Sequence, residues 1–412
     1  MSERLTTGRL ATQRPERARG RTRDEVGPLR IAIVAPPWYS VPPQAYGGVE
    51  MLAAGLADGL VARGHEVLVV AAGRNGTLAE GACTLPEPAL DRLGDEVTSL
   101  LHASLAEDAL RDFAPDVVHD HTLPGLTAAG FRDPPTVATV HGPLTGDYAS
   151  LVRRARHAHL VAISAAQRSS AKDVHWKAMV HNGIPVRSYP YQEHKEDFLL
   201  FLGRMHPDKG VEQAIDVAER SGVPLLIAAR IHGRQEEEFY DTVVRPRLSR
   251  SIEFVGEVGF SDKAELLSGA RALLFPLQWE EPYGLVVAEA QACGTPVLSL
   301  RRGAVPELVE DGRTGWLRDH HLELVDAVER LPELSPRACR LHALASLDVS
   351  RSVRGYEKVF AEVVGHGSRR TAKGRIHVVA SAGSPAQTTI TRPVGATGVA
   401  QHLSALVSKE KS

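Results

Sequence analysis

Cysteine is scarce in this sequence, and the three present, Cys83, Cys293 and Cys339, lie far apart without metal-like spacing. An odd, scattered set excludes a disulfide-stapled secreted scaffold and fits a reduced, cytosolic setting. Long hydrophobic runs are missing as well. No stretch of eighteen apolar residues is there to cross a bilayer. The first 28 residues carry Arg4, Arg9, Arg14, Arg17, Arg19, Arg21 and Arg23 but not the apolar segment of a secretory signal. Neither charge sign dominates. The formal net charge is −2, so no global field draws the chain to nucleic acid or anionic lipid.

What is present suits an ordinary soluble enzyme or binding protein. The 412 residues suffice for two or three domains, each with its own core. Residues 1–28 read as a disordered leader. Order begins at "LRIAIVAPP" (29–37), a β-branched run of the buried, parallel-strand type. A Pro/Gly-rich loop leads into the helical "VEMLAAGLADGLVARG", with Gly64 placed as a C-terminal cap, and then the strand "HEVLVVAA". "DVVHDH" (116–121), "TVATVH" (136–141) and "HLVAIS" (159–164) repeat the alternation, and "VHNGIP" (180–185) closes the set. Residues 29–185 thus form one domain and 186–196 a linker.

From 197 to 350 the pattern starts again, with strands at "DFLLFLGRM", "PLLIAARI", "SIEFVGEV", "LLFPLQ" and "TPVLSL". The helix "SDKAELLSGARA" between them carries a serine placed to cap it. Two doubly wound α/β halves in tandem are the expected fold. A C-terminal helix at 351–365 and a mostly disordered tail, 366–412, complete the chain.

Chemistry concentrates in "WEEPYGLVVAEAQACGTPV" (279–297). Pro282 pushes Glu281 into an extended conformation at a strand-to-helix loop, and Gly284 lets a ligand approach the free N–H groups of the helix. Glu289 lies about a turn and a half further in. Both carboxylates can face one crevice at the carboxyl ends of the strands. Alone, such a pair is as readily a solvated loop residue and a helix-surface residue. "FLGRMHPDKG" (201–210) brings Arg204 and Lys209 to a strand end, a pair suited to a diphosphate or simply to solvent. "AYGGVE" sets Gly47 and Gly48 before a helix, where backbone N–H groups can touch a phosphate or only make a turn. His119 and His121 flank Asp120, but no third ligand stands at zinc spacing, so packing or substrate contact is the reading. "LVRRARHAH" (151–159) reads as a solvated helix face, with peripheral membrane contact as the alternative.

The ordered set "GGVE", "DVVHDH", "TVHG", "HNGIP", "GRMHPDKG", "EEPYGLVVAEAQACGTPV" and "RGAVPELVEDGRTGWL" resembles the family 4 glycosyltransferases of the GT-B fold over about residues 30–365. The resemblance implies two Rossmann-like domains facing across a cleft, the second holding a nucleotide-sugar donor and the first the acceptor. It implies that Arg204 and Lys209 bind the diphosphate and Glu289 the ribose. Glu281 and the backbone of Tyr283, Gly284, Leu285 and Val286 would hold the transferred hexose. His141 would stand beside the anomeric carbon, and Gly47 and Gly48 would reach the phosphates from across the cleft. No metal and no other cofactor is implied.

Two departures border the donor site: Arg302-Gly303-Ala304 before Pro306-Glu307, and Ala229-Arg230 where many relatives have glycine. The pattern is similar to a subgroup using UDP-sugars, which favours UDP-glucose over GDP- or ADP-sugars. A silent nucleotide-sugar-binding protein and a nucleotide-sugar epimerase on the same fold are the alternatives. A dinucleotide oxidoreductase lacks its glycine fingerprint after 30–35. The acceptor, small or lipid-linked, depends on loops 36–48, 74–100 and 142–150.

Overall fold

A computed structural model of the chain describes residues 27–44 and 46–373, with side chains as far as Gly365. Most of the expected leader, and the tail beyond 373, lie outside the described residues. Among the described residues two parallel sheets form. The first contains β1 (Arg30–Val34), β2 (Glu66–Ala71), β3 (Glu80–Cys83), β4 (Val117–Asp120), β5 (Thr136–Thr139), β6 (His159–Ala162) and β7 (Trp176–Met179). Their spatial order is β3-β2-β1-β4-β5-β6-β7. The second contains β8 (Leu199–Arg204), β9 (Leu225–Arg230), β10 (Ile252–Gly256), β11 (Ala272–Phe275), β12 (Val297–Leu300) and β13 (Gly315–Arg318), ordered β10-β9-β8-β11-β12-β13. The doubly wound α/β pattern read from the sequence is present in both.

Central strands are apolar on both faces because helices cover both faces. Ile31, Ile33 and Val69 pack on one side of the first sheet, Ala32, Val34 and Val70 on the other. Strand order reverses between β1 and β4 and again between β8 and β11, and at each reversal the following loops diverge to leave a crevice.

Some local expectations are corrected. β3 lies inside 74–100, read as a variable loop, and its sequence "EGAC" is largely exposed at a sheet edge, so it carries no apolar signal. The same stretch includes the start of the Glu96–Phe113 helix. "VHNGIP" is not a strand; it follows β7, which ends at Met179. Ser261 does not cap its helix, which begins one residue earlier at Phe260 with Gly259 in the cap position and no side-chain cap bond. The last helix runs from Val349 to Lys373, entering the stretch expected to be disordered.

That last helix returns to the first sheet, where Val353, Tyr356, Val359, Phe360 and Val363 join the core formed by Ile31, Leu56 and Leu60. The chain therefore passes between the two sheets twice. The two passages touch: Ile184 N–H donates to Leu347 O at 3.0 Å and Val349 N–H to Ile184 O at 2.8 Å.

Candidate active site

A cavity of about 510 Å³ opens where the two strand reversals meet, a volume suited to a small-molecule ligand. His141, Gly47 and Gly48 come from the first sheet's loops. Arg204, Lys209, Glu281, Tyr283, Gly284, Leu285, Val286 and Glu289 come from the second's. All eleven residues to which the resemblance assigns a role line it; His119 and His121 do not.

Backbone geometry fixes the loop after β11. Gly284 is the N-cap of the Leu285–Ala292 helix at φ 94, a left-handed conformation that favours glycine. Gly303, at φ 54, lies so close that a Cβ would sit 2.2 Å from Glu281 O. Ala304 N–H donates to that same oxygen at 2.9 Å, clasping the loop. The retained glycine of the departed "RGAVPE" motif thus serves to seat Glu281.

Glu281 accepts from Lys209 Nζ at 2.5 Å and from Trp279 Nε1 at 3.1 Å, while Lys209 Nζ also stands 4.6 Å from the Trp279 ring centroid. Both charged side chains are mostly buried, 13% and 12% exposed, so solvent screens the pair little. Glu289 accepts from Lys263 Nζ at 2.6 Å and Tyr189 Oη at 2.9 Å. Burial and the neighbouring carboxylate push the Tyr189 phenol well above its ordinary pKa, so it remains a donor. Tyr189 belongs to the segment read as a linker, yet it is fully buried. Arg204 donates to Glu236 at 3.3 Å.

His141 is hydrogen-bonded through Nε2 to His121 Nδ1 at 2.8 Å, with the rings stacked. His119 instead bonds Thr139 at 2.7 Å, and Thr139 bonds Tyr356 of the last helix at 2.8 Å. Burial lowers the His141 pKa to about 4 and that of His119 to about 3, and His121 falls well below its ordinary value for the same reason. All three are neutral near pH 7. Among the described residues, no grouping of three or more His, Cys, Asp or Glu is placed to hold a metal ion.

Three residues at the cleft were given no role in the sequence reading. Glu50, in the first turn of the Gly48–Ala62 helix, is 3% exposed and lines the cavity. Burial raises its pKa to about 7, opposed only in part by a hydrogen bond to its own backbone. Its signal was a carboxylate within the mostly buried face of "VEMLAAGL". Arg230 ends the buried strand "LLIAAR" and enters the cavity. Glu307 accepts from Ala165 N–H and Ala166 N–H, each at 2.8 Å, and from His181 Nε2 at 2.8 Å, joining the two halves beside the cleft. Those bonds to its charged form hold its carboxyl below the usual range against the opposing pull of burial.

The basic stretch 151–159 is not one helix. The Gly146–Arg154 helix ends within it and β6 begins at His159, while Arg153 pairs with Asp173 at 2.6 Å. No helix among the described residues is long and apolar enough to cross a membrane.

Residues 46–187 match the family described as Glycosyltransferase Family 4, and residues 190–343 that described as Glycosyl transferases group 1. The chain is 27% identical to glycogen synthase of Mycobacterium tuberculosis over 343 residues, covering 70% of this chain and 81% of that one. Among solved structures it is similar to AviGT4, a glycosyltransferase involved in avilamycin A biosynthesis, with a TM-score of 0.62 at 26% identity. That likeness covers 82% of this chain and 99% of AviGT4. Anabaena HepE, solved with UDP-glucose, has the same fold, with a TM-score of 0.61 at 18% identity over 83% of this chain and all of that one.

Proposed function

The chain belongs to the family 4 glycosyltransferases, in the GT-B fold, and from that premise we propose that it moves glucose from UDP-glucose to an acceptor hydroxyl with retention of configuration. The observation that carries this reading is the Lys209–Glu281 pair set beside the free N-terminus of the Leu285–Ala292 helix. Lys209, Arg204 and the helix N–H groups supply positive potential for a diphosphate without a metal ion. Glu281 then accepts sugar hydroxyls, and the backbone at Tyr283, Gly284, Leu285 and Val286 completes the sugar pocket. Glu289 takes the ribose hydroxyls in place of its present partners. Gly47 and Gly48 face the phosphates from the opposite wall.

Retention by double displacement needs a carboxylate nucleophile at the anomeric carbon. Glu281 is committed to Lys209 and Trp279, which favours front-side attack instead. In that step the acceptor oxygen bonds to the anomeric carbon as the bond to the phosphate oxygen breaks, and the leaving phosphate takes the acceptor proton. His141, neutral and held by His121, lies along the cavity wall as a dipole for the developing positive sugar. HepE, which holds UDP-glucose in this fold, supports the choice of donor.

Nucleotide release from UDP-, GDP- and ADP-glucose, with and without an acceptor panel, tests the reading. UDP-glucose should turn over, and proton NMR of the fresh product should show the α-anomer. A β-linked product overturns retention. Binding without release from any donor marks a silent nucleotide-sugar-binding protein.

Glu289→Ala should weaken UDP roughly ten- to a hundred-fold, since a hydrogen bond to a charged group contributes about 1.5–3 kcal/mol. Calorimetry showing unchanged affinity in a folded variant would remove Glu289 from the ribose.

A further inference from the structure

The cations of the cavity are not equally matched. Lys209 faces Glu281 at 2.5 Å, Lys263 faces Glu289 at 2.6 Å and Arg204 faces Glu236 at 3.3 Å. Arg230 is only 8% exposed, yet no carboxylate among the described residues lies within ion-pair distance of it. Its Nη1 donates to the Tyr39 hydroxyl, and its guanidinium stands 4.3 Å from the Tyr46 ring centroid. Its Nε is buried and has no partner. A guanidinium cannot shed its proton to escape this position. Tyr39 does not neutralise it either, because burial keeps the phenol protonated, with a pKa pushed up to about 12.

Placement adds a second observation. β8 and β9 pair in parallel, and the last matched residues of their register are Arg204 and Arg230. The two guanidinium-bearing residues therefore leave adjacent strand ends side by side, and both enter the cavity. Nη1 is taken by Tyr39, so the edge formed by Nε and Nη2 is the one left for a ligand. Two N–H groups on one edge match two oxygens of a phosphate.

We propose that Arg230 is a further cationic ligand of the donor's diphosphate, beside Arg204 and Lys209, with its Nε–Nη2 edge turned to a phosphate by Tyr39 and Tyr46 of the opposite domain. This rests on the nucleotide-sugar reading above and adds to it a residue from outside the motif that carries Arg204 and Lys209. Because both tyrosines come from the loop between β1 and the Gly48–Ala62 helix, the arginine is shared between the donor half and the acceptor half.

Calorimetry of wild type, Arg230→Gln and Arg230→Lys with UDP, inorganic pyrophosphate and uridine tests it. Arg230→Gln should weaken UDP and pyrophosphate ten- to a hundred-fold while leaving uridine within twofold. Its melting temperature without ligand should equal or exceed wild type, because an unneutralised buried charge has been removed. Arg230→Lys keeps the charge without the fork and should recover only part of the affinity. Unchanged UDP and pyrophosphate binding in Arg230→Gln overturns the proposal. Equal losses for uridine, or a lower melting temperature with losses for every ligand, also overturn it by making Arg230 structural. Wild type that binds neither UDP nor pyrophosphate refutes the nucleotide-sugar reading itself, a separate outcome from wild-type binding that Arg230→Gln leaves intact.

Discussion

Lys209→Met should cut glycosyl transfer roughly 10²- to 10³-fold, the loss typical of removing one preorganised donor from a developing oxyanion. The same change should lower thermal stability in the absence of ligand. Lys209 is the cation 2.5 Å from Glu281, and its loss leaves a mostly buried carboxylate with Trp279 as its remaining side-chain donor among the described residues. Breaking one side of such a pair costs about 3 kcal/mol where burial is strong. Adding Glu281→Gln should remove most of that instability, because the orphaned charge is gone. It should not restore turnover. Melting curves and UDP release, measured on both single variants and the double variant, separate the two effects. Turnover of Lys209→Met within threefold of wild type would take the lysine out of the chemistry.

Glu50→Gln should stabilise the protein above pH 7 by up to about 3 kcal/mol, with the gain fading toward pH 4. The sign follows from the direction of the shift. Burial raises the Glu50 pKa from 4.5 to about 7, so between those values the folded state holds a proton that the unfolded chain releases. Stability from this group is complete below pH 4.5 and is lost as pH rises through 7. Glutamine has the shape of the protonated acid and does not titrate. Urea unfolding of both proteins at pH 4, 6 and 8 measures the difference directly. A constant difference across that range, or a less stable glutamine variant at pH 8, would mean the carboxylate has a partner that stabilises its charge. A destabilising residue kept in a cavity wall is the usual mark of a site whose stability is set aside for function.

Much of this architecture was legible because parallel strands buried on both faces are written as short β-branched runs, and "RIAIV" and "ALLF" have no other plausible home. The site was legible for a related reason. In this topology strand ends converge, so the residues just after β8 and β11 must meet. What could not be read depends on partners distant in sequence. Tyr189 looked like part of a polar linker until Glu289, a hundred residues later, gave its hydroxyl a destination. Glu307 stood in the sequence only beside a departure that borders the donor site, and nothing local shows that it accepts from the Ala165 and Ala166 N–H groups. Arg230 was visible only as a departure from glycine. Edge strands such as β3 pack too little to leave an apolar trace.

The return of the last helix to the first sheet also bears on how the chain is made. Synthesis delivers β1 to β7 first, yet part of their hydrophobic cover, including Tyr356 and Phe360, emerges only after the whole second sheet. The first half thus leaves the ribosome with one face of its sheet only partly covered, by the Gly48–Ala62 helix, and stays so for about 170 residues of elongation, or roughly 10–30 s at usual rates. A nascent chain with part of an apolar sheet face uncovered is a natural client for a holding chaperone. Order of emergence, rather than final stability, then sets when this protein is most prone to aggregate.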